Sequence, residues 1–390
     1  MKRAMVTISL LLAAFGLISF DTASKKQTSK TETSTIEIPK MEENTKIQVA
    51  LLLDTSNSMD GLIEQAKSRL WNIVNTLTTL KYAGKNPTIE IALYEYGNDG
   101  LSAEKNYIRQ VTALTTDLDL ISEKLFSLRT NGGSEFCGAV IQDATKELKW
   151  DDGKNNMKLV YIAGNEAFNQ GGINYKDAIT TAVKNNIYVN TIFCGNHDEG
   201  IKLLWKDGAD VAQGKYFNID SNQTVQYIAT PYDTKINECN IQINNTYISY
   251  GHQGAAKKRN QAVQDKNAES ISGANSTERA VSKSKAAYTN TEWDLVDKVK
   301  EDKEAISKIK EEELPAELKG KSIPEIKAIV AEKTKEREAI QKEIAELAKK
   351  RQDYITAEAK KQNTKDDLGN AISNSIIALA KTKKYTQDKK

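Results

Sequence analysis

Ile47-Gln-Val-Ala-Leu-Leu-Leu-Asp-Thr-Ser-Asn-Ser58 decides the fold. Its first seven residues form a short, nearly continuous apolar run, the pattern of a strand buried on both faces of a parallel sheet. Past it, Leu62, Ile63, Ala66, Leu70, Ile73, Val74 and Leu77 recur at helical spacing, with Ser58 in place as N-cap and Gly84 beyond the end. The same alternation continues down the chain. Strand-like runs at Ile89 to Tyr96, Lys158 to Ala163, Ile187 to Cys194 and Lys215 to Ile219 are separated by helical patterns near 117–128, 138–149, 175–186 and 199–212. This predicts an α/β fold with a doubly wound, mostly parallel sheet. Ligands of such sheets bind beyond the carboxyl ends of the strands, so the residues after Leu53, Ala163 and Phe193 are expected to share one rim.

Outside this stretch the character changes twice. Met1-Lys-Arg3 precedes a mostly apolar run to Phe20, then small and polar residues; residues 1–24 read as a cleaved signal peptide, leaving no membrane span and a periplasmic or secreted protein. Residues 25–45, rich in Lys, Thr, Ser and Glu, read as a flexible leader. The α/β domain is expected over 46–232, and a helical, partly coiled-coil-like region over 233–390. In that region Ser322-Ile-Pro-Glu325 predicts the capped start of a long helix reaching about Ala359. Along it Ile340, Ile344, Leu347, Arg351 and Tyr354 form a seam; with Arg337 and Arg351 at seam positions, an arm of an antiparallel hairpin is favoured over a dimerising coil. A last helix near Leu368–Lys381 is expected to pack against the long one.

After the first strand comes Asp54-Thr-Ser56-Asn-Ser58, a D-x-S-x-S pattern, and the second loop reads Leu128-Arg-Thr-Asn-Gly-Gly-Ser-Glu-Phe-Cys-Gly138. With the later Ile187-Tyr-Val-Asn-Thr-Ile-Phe-Cys-Gly195 and Gly214-Lys-Tyr-Phe-Asn-Ile-Asp220, these resemble the von Willebrand factor type A family over roughly residues 46–232. The resemblance implies a metal-ion-dependent adhesion site. Two serine hydroxyls and a threonine hold Mg²⁺ in that family, an aspartate acts through water, and a partner's carboxylate fills the open position. Carried over, Ser56 and Ser58 are the first hydroxyls, Asp54 the aspartate, and Ser134, after Gly132-Gly133, the third hydroxyl. Mg²⁺, with Mn²⁺ or Ca²⁺ as alternatives, suits such oxygen donors. The third loop departs from the family: Ile162-Ala-Gly-Asn-Glu-Ala-Phe168 puts Gly164 where the family has an aspartate, which predicts weak metal binding unless Asn165 or Glu166 reaches in. The loops also resemble a bacterial subfamily with a following helical region, in which Trp293-Asp-Leu-Val-Asp297, Glu336-Arg337 and Arg351-Gln-Asp-Tyr354 take similar form.

The function implied is non-enzymatic binding of a protein partner through an exposed carboxylate; the alternative is a metal-free scaffold of an envelope assembly. Only His197 and His252 exist, too few for a three-histidine metal centre, and neither accompanies a G-x-S-x-G serine. Fifty-five basic against 53 acidic residues leave a formal charge of +2, no footprint for nucleic acid. Three cysteines in an exported chain raise the question of disulfides. Cys137 and Cys194 are both placed near the rim and are expected to pair, leaving Cys239 odd.

Overall fold

The computed structural model describes residues 45–220, 227–362 and 368–387. The strands are β1 (Lys46–Asp54), β2 (Leu80–Lys81), β3 (Thr88–Tyr96), β4 (Ile108–Thr115), β5 (Met157–Gly164), β6 (Ile187–Cys194), β7 (Tyr216–Ile219) and β8 (Thr386–Gln387). Six of them form the main sheet in the order β4-β3-β1-β5-β6-β7, parallel except for β4. β2 and β8 make a small antiparallel pair. The helices of this half are α1 (Asp60–Leu77), α2 (Leu118–Ser127), α3 (Cys137–Glu147), α4 (Tyr175–Lys184), α5 (His197–Lys202) and α6 (Trp205–Val211).

The apolar run of β1 serves two cores, because successive side chains in a strand point to opposite faces. Ile47, Val49, Leu51 and Leu53 face α1 and α2, where Leu62, Leu70, Ile73, Val74 and Ile121 are buried. Ala50 and Leu52 face α3, α4 and Trp205, meeting Val140, Ile141 and Ile179. A strand covered on both sides needs no polar face, which is why its sequence does not alternate.

The later helices are α7 (Asp233–Asn244), α8 (Gly254–Ile271), α9 (Gly273–Lys283), α10 (Leu295–Glu301), α11 (Ala305–Lys308), α12 (Ile323–Gln362) and α13 (Leu368–Thr382). Their apolar residues join the core of the sheet: Ile243, Tyr247, Ala268, Tyr288 and Trp293 belong to the same buried cluster as β1 and α1. The seam of α12 is spent within the chain, with Ile344 buried against Ile236, Cys239, Ala280 and Val281 of α7 and α9. Its two arginines are buried and paired. Arg337 contacts Asp294 at 2.7 Å and Asp297 at 2.9 Å, and stacks 4.0 Å from the Tyr247 ring centre. Arg351 meets Asp233 at 2.8 Å. The Trp293–Asp297 and Glu336–Arg337 stretches are thus two sides of one ion pair.

The partner of the last helix differs from expectation. α13 packs on α1 and the sheet rather than on α12: Ile372 and Ile376 enter the core of Leu51, Leu53 and Tyr161, Ser375 bonds the Tyr161 hydroxyl, and Ser373 bonds Thr76 at 2.9 Å. A stripe of apolar residues records that a helix has a buried face, not which element covers it. The expected signal peptide and nearly all of the leader lie outside the described residues. Among the described residues no helix is long and apolar enough to cross a membrane.

Candidate metal site at the sheet rim

β1 is flanked by β3 on one side and β5 on the other, so its carboxyl end opens at the point where strand order reverses. Asp54 ends it, fully buried, with Oδ1 accepting the Ser56 backbone N–H at 2.7 Å. The chain then makes a short 3-10 turn at Asn57–Met59 before α1. That turn corrects the expected N-cap: α1 starts behind Met59, and neither Ser56 nor Ser58 makes a side-chain cap bond. The two hydroxyls instead lie 3.3 Å from each other.

The second loop is pinned against this corner. Asn131 N–H donates to Thr55 O at 2.9 Å and Asp99 N–H to Gly132 O at 2.5 Å. Gly133 approaches so closely that a Cβ there would stand 2.4 Å from Gly97 O. Next to Ser134 the loop also brings Glu135 to this corner: a Cβ at Gly97 would stand 2.8 Å from both Asp54 Oδ1 and Glu135 Cγ. Ser134 is half-buried, and among the described residues no hydrogen bond joins it to Asp54, Ser56 or Ser58. Glu135 is buried, and its carboxyl lies close to the side chains of Asp54 and Ser56 and to the backbone of Glu166.

Two carboxyl groups in a buried contact repel unless something positive lies between them. Burial holds the Asp54 carboxyl well above its usual range, and the neighbouring Glu135 pushes it further. Burial likewise raises Glu135, against the lowering pull of its bonds to Asp54 and Ser56. With both groups ionised, Asp54 Oδ2 is a buried oxygen that receives no donor. A shared proton, a cation or an ordered water would satisfy it.

In the third loop Gly164 does face Asp54: a Cβ there would lie 3.0 Å from Asp54 Oδ2. It would also lie 2.5 Å from the Tyr96 hydroxyl, which donates to Ala163 O at 2.9 Å and fills the space. Asn165 reaches in, its Nδ2 donating to Ser58 Oγ at 3.1 Å while its Oδ1 is buried and receives no donor. Glu166 turns outward to accept from Gln170 at 3.2 Å and contributes only its backbone.

The expected disulfide is absent, since all three cysteines are free, buried thiols. Cys137 lies in the core under α3, its Sγ 3.8 Å from the Tyr96 hydroxyl, whereas Cys194 points into the opposite core with Ile192. The sheet separates them. Cys239 packs beneath α12. His197 and His252 are both exposed, as surface residues would be.

The donor set fits a hard divalent cation. Asp54, Ser56, Ser58 and Glu135 offer only oxygens, and one oxygen of Asp54 is buried without a donor. Among the described residues no group of three or more His, Cys, Asp or Glu is placed to hold a metal, so a site here must draw on hydroxyls.

A family model, the von Willebrand factor type A domain, matches residues 48–231. No curated protein matches the chain at a significant level. Similar solved structures include the conserved protein BatB of Bacteroides thetaiotaomicron, with 16% identity, TM-score 0.35, and coverage of 45% of this chain and 90% of that one. Another is an aerotolerance-related membrane protein of Bacteroides fragilis, with 17% identity, TM-score 0.32, and coverage of 45% and 93%. A third, proximal thread matrix protein 1 from the mussel byssus with a zinc-occupied MIDAS motif, shows 13% identity, TM-score 0.35, and coverage of 46% and 43%. Across residues 48–231, then, the chain carries a von Willebrand factor type A domain.

Proposed function

We propose that this protein is an extracytoplasmic, non-enzymatic binding module in which a divalent cation, held by Asp54, Ser56 and Ser58, engages a carboxylate of a protein partner. Domains of this type are in general adhesion and protein-interaction modules, and commonly bind a divalent metal at this motif. One observation carries the reading for this chain: a fully buried Asp54 whose Oδ2 has no donor, beside two serine hydroxyls left free of capping duty. Asn165, bonded to Ser58, holds the second hydroxyl in place. Placement outside the cytoplasm rests on the N-terminal sequence, residues 1–24.

Thermal unfolding in the presence and absence of Mg²⁺ tests the module directly. A ligand that binds only the folded state stabilises it by about 2.7 kcal/mol at 100 times its dissociation constant. Wild type is expected to melt higher with Mg²⁺, and Asp54→Ala to show no such shift. A second reading, a metal-free scaffold, draws on Gly164 and Tyr96, which leave no third-loop carboxylate beside Asp54. Equal responses of wild type and Asp54→Ala to Mg²⁺ would decide for the scaffold.

A further inference from the structure

We propose that Glu135 is a resident ligand of this site: its carboxylate takes the cation position that a partner's carboxylate would otherwise fill, so that an anionic partner must compete with it. The proposal rests on the metal-dependent reading above. Three observations support it. Glu135 is buried with its carboxyl close to Asp54 and Ser56, two of the residues expected at the cation. Its loop is held rigidly by the Asn131–Thr55 and Asp99–Gly132 backbone bonds. Gly97, at φ +75°, keeps the corner clear: a Cβ there would stand 2.8 Å from both Asp54 Oδ1 and Glu135 Cγ.

Charge explains what a resident ligand would change. Neutral hydroxyls and one aspartate leave a bound divalent cation with net positive charge, ready to draw an anion from outside. A second carboxylate balances that charge inside the protein. The cation then binds without a partner, and access for a partner depends on Glu135 swinging away.

Titration calorimetry with MnCl₂ on the full chain, in the presence and absence of sodium acetate at matched ionic strength, tests this. Wild type is expected to bind one Mn²⁺ with an affinity that acetate leaves unchanged. Glu135→Gln, which keeps the shape, is expected to bind at least about 10-fold more weakly, the scale on which lost metal-site carboxylate partners register. Glu135→Ala should bind weakly too and recover part of the loss when acetate enters the space. Circular dichroism checks that both variants fold; if Glu135→Ala does not, Glu135→Gln decides alone. Wild-type affinity in Glu135→Gln overturns the role of Glu135 while leaving the metal site standing. No Mn²⁺ binding by wild type overturns the metal reading and this inference together.

Discussion

Two of this molecule's groups of buried carboxylates have opposite surroundings. Between α2, α8 and α9, Asp119 and Asp265 meet Arg279 at 2.8 and 2.5 Å, with Lys283 3.0 Å from Asp265 and the Tyr288 hydroxyl 2.6 Å from Asp119. Burial alone would raise Asp265, but Arg279 and Lys283 outweigh it and hold the carboxyl well below the usual range. At the sheet rim Asp54 and Glu135 are buried together with no cationic side chain among their partners in the described residues, and both are raised. The first region carries its own cations and is a fastening between the sheet's helices and the later ones. Among the described residues the second has no cation of its own, as a site for an external one requires.

Removing the built-in cation should make the first region resemble the second, at large cost. Arg279 is fully buried, bridges Asp119 and Asp265, and lies 4.7 Å from the Trp71 ring centre. Arg279→Met keeps much of the apolar contact but leaves carboxylates without their main partner, a change that costs about 3–5 kcal/mol. Urea unfolding at neutral pH measures it. The pH dependence has a definite sign. A carboxyl whose folded value is depressed contributes stability above its unfolded value and loses it as pH falls. The gap between wild type and Arg279→Met should therefore narrow below about pH 4, where an ordinary carboxylate titrates. A loss under about 1 kcal/mol at neutral pH, the scale of an exposed pair, would show that this fastening is no stronger than a surface contact.

Much of the fold and of the rim was legible in the sequence, whereas the Asp119–Arg279–Asp265 cluster was not, and the exceptions have physical causes. The strand, the helix and the Asp54–Ser58 loop follow from an apolar run meeting a helical period, both local signals. Gly164 was legible as a missing carboxylate; that Tyr96 fills the gap was not, because strand β3 lies far away in sequence. Ser134 was chosen for its hydroxyl, and the buried carboxyl of the next residue, Glu135, was passed over. The signal available was Glu135 itself, an acidic residue set among glycines, Phe136 and Cys137 in a loop bound for the rim. The Cys137–Cys194 pairing overlooked strand parity: Phe193 and Cys194 are neighbours and so serve opposite cores. Arg337 and Arg351 were legible as misfits in a dimer seam, but their aspartates come from elements dozens of residues away.

Adding a carboxylate to the second region sharpens the comparison. Gly164→Asp would restore the family's residue type, yet its Cβ would sit 2.5 Å from the Tyr96 hydroxyl and beside Asp54. Overpacking of this kind costs about 1–3 kcal/mol. The expected outcome is a protein that melts lower than wild type and binds Mg²⁺ no more tightly. Pairing it with Tyr96→Phe removes the hydroxyl in the way and should recover part of the stability. Full stability in Gly164→Asp alone would mean that Tyr96 moves aside readily and the third loop has room for the family's aspartate.

The smallest effect is expected at Lys283, because Arg279 by itself already pairs with both carboxylates of the first region. Lys283 is completely buried, and burial lowers its pKa to about 8 even with Asp265 beside it. In Lys283→Met, Asp265 would still hold Arg279 at 2.5 Å and Asn244 at 2.7 Å, so no carboxylate is stranded. Deleting a buried charge whose counter-ion keeps another partner relieves desolvation about as much as it loses attraction. The change at neutral pH should stay within about 1 kcal/mol, the scale of one ordinary hydrogen bond. The pH profile separates the two proteins more clearly. Between about 8 and the ordinary lysine value of 10.5, the unfolded wild-type chain keeps a proton that the folded chain has released. Stability then rises with pH through that window, and the methionine variant lacks this rise. Wild type should gain on Lys283→Met from about pH 8 upward in urea unfolding. A neutral-pH loss as large as that of Arg279→Met would instead make Lys283 an equal partner, and the fastening a two-cation device with no charge to spare.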